Sequence, residues 1–180
     1  LVALILSVGI VAVAQEAENW ELVDAYHAGR IDLAVVASPS LDWVLVRIGN
    51  PDGTSIHIEL LPGTVFSPGG EVYQRMGVIA WVEVSIEPGE TEEVEVPTAC
   101  VDMSLEQPPE GMPLDVGIQR GISEGVTRLI LLPDFQSASF RLRQFALWTA
   151  IATPLAREDY PGLGLGHDIF EVLFEQGVPE

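Results

Sequence analysis

The sequence predicts an α+β protein, in which an antiparallel β-sandwich is followed by a small helical subdomain. Short apolar segments separated by turn residues fill the range 31–103, and apolar residues at helical spacing follow in the range 104–180. The chain has 180 residues, of which 48% are hydrophobic. This is enough for a domain with its own core, and it is too apolar for a disordered acidic tail.

The chain begins with an apolar run that is typical of a secretory signal peptide. Residues 1–14 read LVALILSVGIVAVA and end in an A-x-A cleavage pattern, ahead of polar residues that begin at Gln15. A helix needs about 20 apolar residues to cross a bilayer core, which is more than this run provides. We therefore predict an exported protein, secreted or held at the cell surface, whose mature chain starts at Gln15. A membrane anchor and a pilin-type assembly helix are the alternatives.

Residues 15–30 form an N-terminal segment between the signal peptide and the first predicted strand. Trp20 and Tyr26 in this segment can pack back on the sheet, or they can belong to a segment donated to a neighbouring subunit. We expect packing within the chain, because donation requires an unfilled groove on the neighbour.

Residues 31–103 are predicted to form the sandwich. Proline and glycine clusters, such as Asn-Pro-Asp-Gly at 50–53, force chain reversals between apolar segments. Apolar and polar residues alternate within the segments, as in SIHIEL at 55–60, so each strand has one face for the core. Short strands at this spacing predict an Ig-like sandwich with Trp43 and Trp81 in its core. The predicted strands are Ile31–Val36, Trp43–Ile48, Ser55–Leu61, Val78–Ile86 and Glu92–Val96.

Residues 104–180 are predicted to hold a linker and the helical subdomain. Prolines within 107–113 favour a stiff, extended backbone. Ser123 can cap a helix that runs through Leu132, with Pro133 as its stop. The pattern predicts a second helix from Ser137 or Ser139 to Ala152, and a third, amphipathic helix over 167–176.

The charge of the chain excludes a nucleic-acid-binding surface. There are 27 acidic residues against 8 basic ones, so the formal net charge is −19, and every basic residue is an arginine. Binding to phosphates needs clustered basic residues that release counterions, whereas this chain is repelled by polyanions. We expect no nucleic-acid partner, and contact with a membrane only through the signal segment.

Motifs for catalysis, cofactors or metals are absent from the sequence. The glycines at 162, 164 and 166 lack the spacing of a dinucleotide-binding loop, and the histidines at 27, 57 and 167 do not form a metal-binding pair on one helix. We therefore predict no catalytic residue, no cofactor and no metal. The expected function is a non-enzymatic module for adhesion, assembly or surface structure, with a protein or cell-surface ligand, or further copies of itself, as partner. A secreted hydrolase that uses two of the 27 acidic residues is an alternative.

Cys100 and Gln144 offer one specific chemical possibility. Cys100, the single cysteine, follows a predicted strand in VPTACVD, and Gln144 opens QFALW, which has the form Q-x-A-Φ-W on a predicted helix. These segments resemble the two signature regions of bacterial surface thioester domains. The resemblance implies a covalent adhesin: the cysteine thiolate attacks the glutamine carboxamide, ammonia leaves, and the buried thioester later acylates an amine on a target surface.

The same two residues also have an ordinary structural interpretation. Free cysteine is among the most buried residue types, so Cys100 can be a small core residue. Gln144 can be a polar position at the start of a buried helix. Under this interpretation the two residues need not meet.

Overall fold

The computed structural model describes residues 17–122 and 124–152. The predicted signal segment 1–14, the predicted cap Ser123 and the predicted helix at 167–176 lie outside the described residues. In chain order, the elements are β1 (Glu18–Glu21), α1 (Leu22–His27), β2 (Asp32–Ala37), β3 (Trp43–Gly49), β4 (Ile56–Leu60), β5 (Thr64–Ser67), β6 (Met76–Val78), β7 (Val82–Ile86), β8 (Thr91–Cys100), β9 (Gly117–Arg120), α2 (Glu124–Ile130), α3 (Pro133–Ser137) and α4 (Phe140–Ala152). Across the described ranges, none of the helices has the length and apolar character needed to span a bilayer.

The strands form two sheets. The smaller sheet has the order β1-β4-β7 and the larger has the order β2-β3-β8-β6-β5-β9. The strand pairs are antiparallel, except that β1 runs parallel to β4. Alternate residues of β3, such as Val44 and Val46, share one buried core with alternate residues of β4, such as Ile56 and Ile58. The prediction of an α+β, sandwich-like fold is confirmed at this level.

The predicted strand Val78–Ile86 consists of two strands in different sheets. Strand β6 ends at Val78 in the larger sheet, and β7 begins at Val82 in the smaller one. Ile79 is fully buried at the crossing, whereas the Trp81 side chain is 53% exposed. The prediction that Trp81 fills the core is therefore wrong, because this residue lies in the connection rather than in a strand. Trp43, at the start of β3, is only half-buried.

Strand β8 extends beyond its predicted end at Val96 and reaches Cys100. It passes through Pro97, which has no N–H to donate. Beyond Val78 the chain no longer belongs to β6, and the carbonyl of Pro97 accepts the Ile79 N–H at 3.0 Å. Because the segment after β6 no longer pairs as a strand with β8 at this point, the proline is tolerated inside β8.

The N-terminal segment packs within the chain. Strand β1 pairs with β4, and Trp20 and Tyr26 lie partly buried against the main core. This confirms the expected packing of the two aromatic residues on the sandwich.

The helices pack on a second apolar core. This core joins Val126, Leu129 and Ile130 of α2 to Phe135, Ala146 and Leu147, and it contains Ala99 and Val101 from the end of β8 and the turn beyond it. The predicted helix that ends at Leu132 corresponds to α2. Pro133 follows this helix and is also the first residue of α3. At that position the missing N–H of proline has no cost.

The predicted linker lies along the edge of the larger sheet. Gly111 donates its N–H to the Ala37 carbonyl at 2.8 Å, and the Met112 carbonyl accepts the Ala37 N–H at 2.9 Å. Strand β9 then pairs with β5. Part of the segment after residue 103 thus contributes to the sheets.

Candidate functional site

The structure brings Cys100 and Gln144 into direct contact. Cys100 is the last residue of β8, and Gln144 lies in the first half of α4. The Cys100 N–H donates to Gln144 Oε1 at 2.8 Å, and Gln144 Nε2 donates to the Cys100 carbonyl at 2.7 Å. Both residues are buried, with 0% and 6% exposure. Two residues 44 positions apart therefore form a reciprocal pair of buried hydrogen bonds.

Gln144 occupies a place that the β-ladder leaves open. Strand β3 begins at Trp43, opposite Pro97, and the Thr98 N–H still bonds to the Asp42 carbonyl at 3.0 Å. Continuing this register would place Ser40 opposite Cys100, but residues 39–42 form bends and turns instead of a strand. The primary amide of Gln144 offers one acceptor and two donors, so it can replace the missing strand residue.

The thiol of Cys100 points into the main core. Its Sγ lies 3.8 Å from Met76 Sδ, on the neighbouring strand. The adjacent residues Ala99 and Val101 belong instead to the core under the helices, as alternation along a strand requires. Trp148, one turn beyond Gln144, packs against the main core. The face of α4 that carries Gln144 and Trp148 therefore lies toward the side of β8 that carries the thiol.

Burial raises the pKa of the Cys100 thiol to about 12, and the negative charge of Asp102 contributes to the shift. The unreacted thiol is therefore protonated at neutral pH. A thiol with a high pKa is also a poor leaving group from any thioester that it forms.

An ion pair lies beside the end of β8. Arg75 Nε and the Arg75 N–H both bond to Asp102 Oδ2 at 2.9 Å, and Arg75 Nη2 bonds to Oδ1 at 2.7 Å. The hydrogen bonds from Arg75 hold the pKa of Asp102 below its ordinary value, and the same contact raises the pKa of Arg75. A pocket of about 660 Å³ opens here, lined by this pair, by Val101 next to Cys100 and by Ile151 of α4.

This pocket bears on the hydrolase alternative. Its acidic lining residues are Glu71 and Asp102. A general acid needs a raised pKa, whereas that of Asp102 is lowered by Arg75. The pocket therefore does not favour glycoside hydrolysis by Glu71 and Asp102.

Two buried polar atoms without a partner among the described residues lie on the same strand and helix as Cys100 and Gln144. Thr98 Oγ1 and Trp148 Nε1 have no hydrogen-bond partner within the described part of the chain. Thr98 lies two residues before Cys100 on the same strand, and Trp148 lies four residues after Gln144 on the same helix. The spacing places each donor on the same face of its element as the nearby site residue.

Sequence motifs did not reveal a second cluster of polar residues. His57 and Glu59 of β4 lie beside Glu83 of β7, with one ligand atom from each within 4.8 Å of the others. The signal in the sequence is the spacing H-x-E in a strand, which puts both side chains on one face. His27 lies apart from this cluster, exposed at the end of α1.

Comparison with known proteins adds no relative. No protein-family model matches the chain, and searches of curated proteins and of solved structures found no match.

Proposed function

We propose that this protein is a non-enzymatic module of the cell surface or the secreted fraction, with an Ig-like sandwich, and that it attaches covalently through a thioester between Cys100 and Gln144. The reciprocal hydrogen-bonded contact between these two buried residues carries the proposal. The segments around them are also the ones that resemble bacterial surface thioester domains.

The proposed bond forms by acyl transfer without an oxidant or cofactor. Cys100 Sγ attacks Cδ of Gln144, the Sγ–Cδ bond forms, and the Cδ–Nε2 bond breaks. The thiol proton leaves with the nitrogen as ammonia. A primary amine on the target can later attack the same carbon, which creates an amide and returns the thiol.

Several features of the site support this chemistry. Oε1 of Gln144 already accepts the Cys100 N–H, which polarises the carbonyl carbon, and the loss of Nε2 leaves that bond intact. For the bond to form, the thiol must turn away from Met76 toward the amide. The unpaired donors of Thr98 and Trp148 lie on the same two elements, and we expect them to turn toward the oxygen that becomes negative during attack. Burial keeps water from the product.

The charge of the protein suggests the kind of target. A net charge of −19 attracts cationic surfaces, and protonated primary amines are cations. A protein or cell-surface ligand that displays lysine side chains fits both the charge and the acyl transfer. No role for nucleic acid follows, and any membrane contact is expected only through the signal segment.

Intact mass spectrometry tests the proposal. We expect the chain from Gln15 onward to be lighter by one ammonia, and methylamine to add its full mass to that product. Pyroglutamate at Gln15 also loses ammonia, but it does not take up the amine. Cys100→Ala and Gln144→Met should abolish methylamine uptake, while Gln119→Met, at an exposed glutamine of β9, should retain it.

A full mass together with a titratable thiol would refute the thioester. The contact between Cys100 and Gln144 would then be purely structural. The proposal would reduce to a surface module that binds its partner without a covalent bond, and binding experiments would have to identify that partner.

A further inference from the structure

We propose that His57, Glu59 and Glu83 bind a divalent transition-metal ion on the outer face of the smaller sheet. One ligand atom from each side chain lies within 4.8 Å of the other two. The site is separate from the Cys100–Gln144 contact, and the proposal does not depend on the thioester.

The sheet itself builds the cluster. Ile56, Ile58 and Leu60 of β4 point into the main core, so His57 and Glu59 point outward. The register with β7 places Glu83 directly opposite Glu59, and Ser85 directly opposite His57. Glu83 is then the diagonal neighbour of His57, at a spacing that long side chains can bridge.

A hydrogen bond orients the imidazole. His57 Nδ1 lies 3.0 Å from Ser85 Oγ, and His57 Nε2 lies 4.0 Å from Glu83 Oε2. Histidines that bind metals usually have their other ring nitrogen held by a second group in this way. Zn²⁺ ligand distances of about 2.0–2.2 Å place the ligand atoms about 3.4 Å apart in a tetrahedron. The exposed Glu83 side chain would have to rotate to close the remaining gap.

The electrostatics of the sheet favour a cation at this position. Like charges directly opposite each other on neighbouring strands are destabilising. Some acids on the described surface, though not all, have arginine partners, as in the pairs Glu18–Arg30 and Glu93–Arg47. Within the described residues, no arginine pairs with Glu59 or Glu83, so a bound cation would supply the missing charge.

The mixed ligand set indicates the class of metal. Imidazole nitrogen suits zinc, cobalt, nickel and copper, whereas calcium and magnesium prefer sites made of oxygen. The ion would link β4 to β7 and leave a position open on the outer face. We therefore infer an ion that clamps the two strands, for which Zn²⁺ and Co²⁺ are suitable probes.

Calorimetric titration of the Cys100→Ala chain from Gln15 onward with Zn²⁺ tests the site, because this background excludes thiol ligation. We expect one Zn²⁺ per chain and visible absorption bands with Co²⁺. His57→Ala should abolish binding, and Ser85→Ala should weaken it about 10- to 100-fold. His27→Ala and Glu95→Gln, which change an exposed histidine and an exposed acid elsewhere, should leave it unchanged.

Several outcomes would overturn the proposal. They are retention of Zn²⁺ binding by His57→Ala, loss of binding in His27→Ala, and displacement of Zn²⁺ by an equal concentration of Ca²⁺. Thermal unfolding gives an independent readout. Glu83→Gln should unfold at a higher temperature than the metal-free parent and lose the Zn²⁺-induced rise. A Glu83→Gln chain that keeps the parental Zn²⁺-induced rise would also contradict the site.

Discussion

Replacing Gln144 by methionine should destabilise the fold through two unpaired backbone groups. Methionine nearly preserves the length and volume of glutamine, so the packing change is small. The substitution removes the partners of the Cys100 N–H and carbonyl, both of which are buried. An unpaired buried polar group costs about 1–3 kcal/mol, so the expected loss is about 2–6 kcal/mol. This is a large fraction of the free energy of unfolding of a typical domain, which is about 5–15 kcal/mol.

Urea unfolding of Gln144→Met in the Cys100→Ala background measures this loss. The alanine keeps the backbone groups of residue 100, while it prevents any thioester. Hydrogen exchange should show that the amide of residue 100 loses its protection. Gln119→Met is the matched control, because Gln119 is exposed and should change the free energy of unfolding by less than about 0.5 kcal/mol. An equally small change for Gln144→Met, with the amide still protected, would refute the reasoning.

Three further predictions concern stability. Asn50→Ala removes the amide that donates to the Thr54 and Ile86 carbonyls at 2.8 and 3.1 Å, and it should cost about 1–3 kcal/mol in urea unfolding; a neutral result would mean that water replaces these bonds. Gly77→Ala would place a Cβ 2.8 Å from side-chain carbons of both Ile122 and Val101, so thermal unfolding should show a loss of about 1–3 kcal/mol; an unchanged midpoint would show that both neighbours move freely. The pKa of Asp102 lies below its ordinary 3.8, so its ionised form stabilises the folded state above that pH, and this stabilisation is lost as the pH falls through the lower, folded-state pKa. Asp102→Asn should therefore flatten the decline in stability over that acid range, and an identical decline would contradict the role of the ion pair.

Local chemistry made much of the fold predictable. Strands β2, β3 and β4 lie within a residue of their predicted bounds, because alternation and flanking turn residues act over short distances. Strands β1, β5 and β9 were not predicted. Each has only 4 residues, too few for an alternating pattern to be recognised.

For the candidate sites too, local features were predictable from the sequence and long-range contacts were not. Residue type and spacing identified Cys100 and Gln144 as a possible pair, but not whether they meet. Their contact depends on where β3 begins and on how α4 packs against β8, and both are long-range features. The cluster of His57, Glu59 and Glu83 depends on the register between β4 and β7, which no motif within one strand can reveal.

Composition and neighbours along the chain were enough to predict the acidic character, the absence of catalytic motifs, the α+β class and the candidate pair Cys100 and Gln144. The division of the strand predicted at 78–86 between two sheets became visible only in the folded chain, as did the way the amide of Gln144 completes the edge of β8 at Cys100. The physical reason is that strand pairing and helix docking join groups far apart in the chain. The free energy of those contacts depends on the whole core, so it cannot be inferred from any short segment of the sequence.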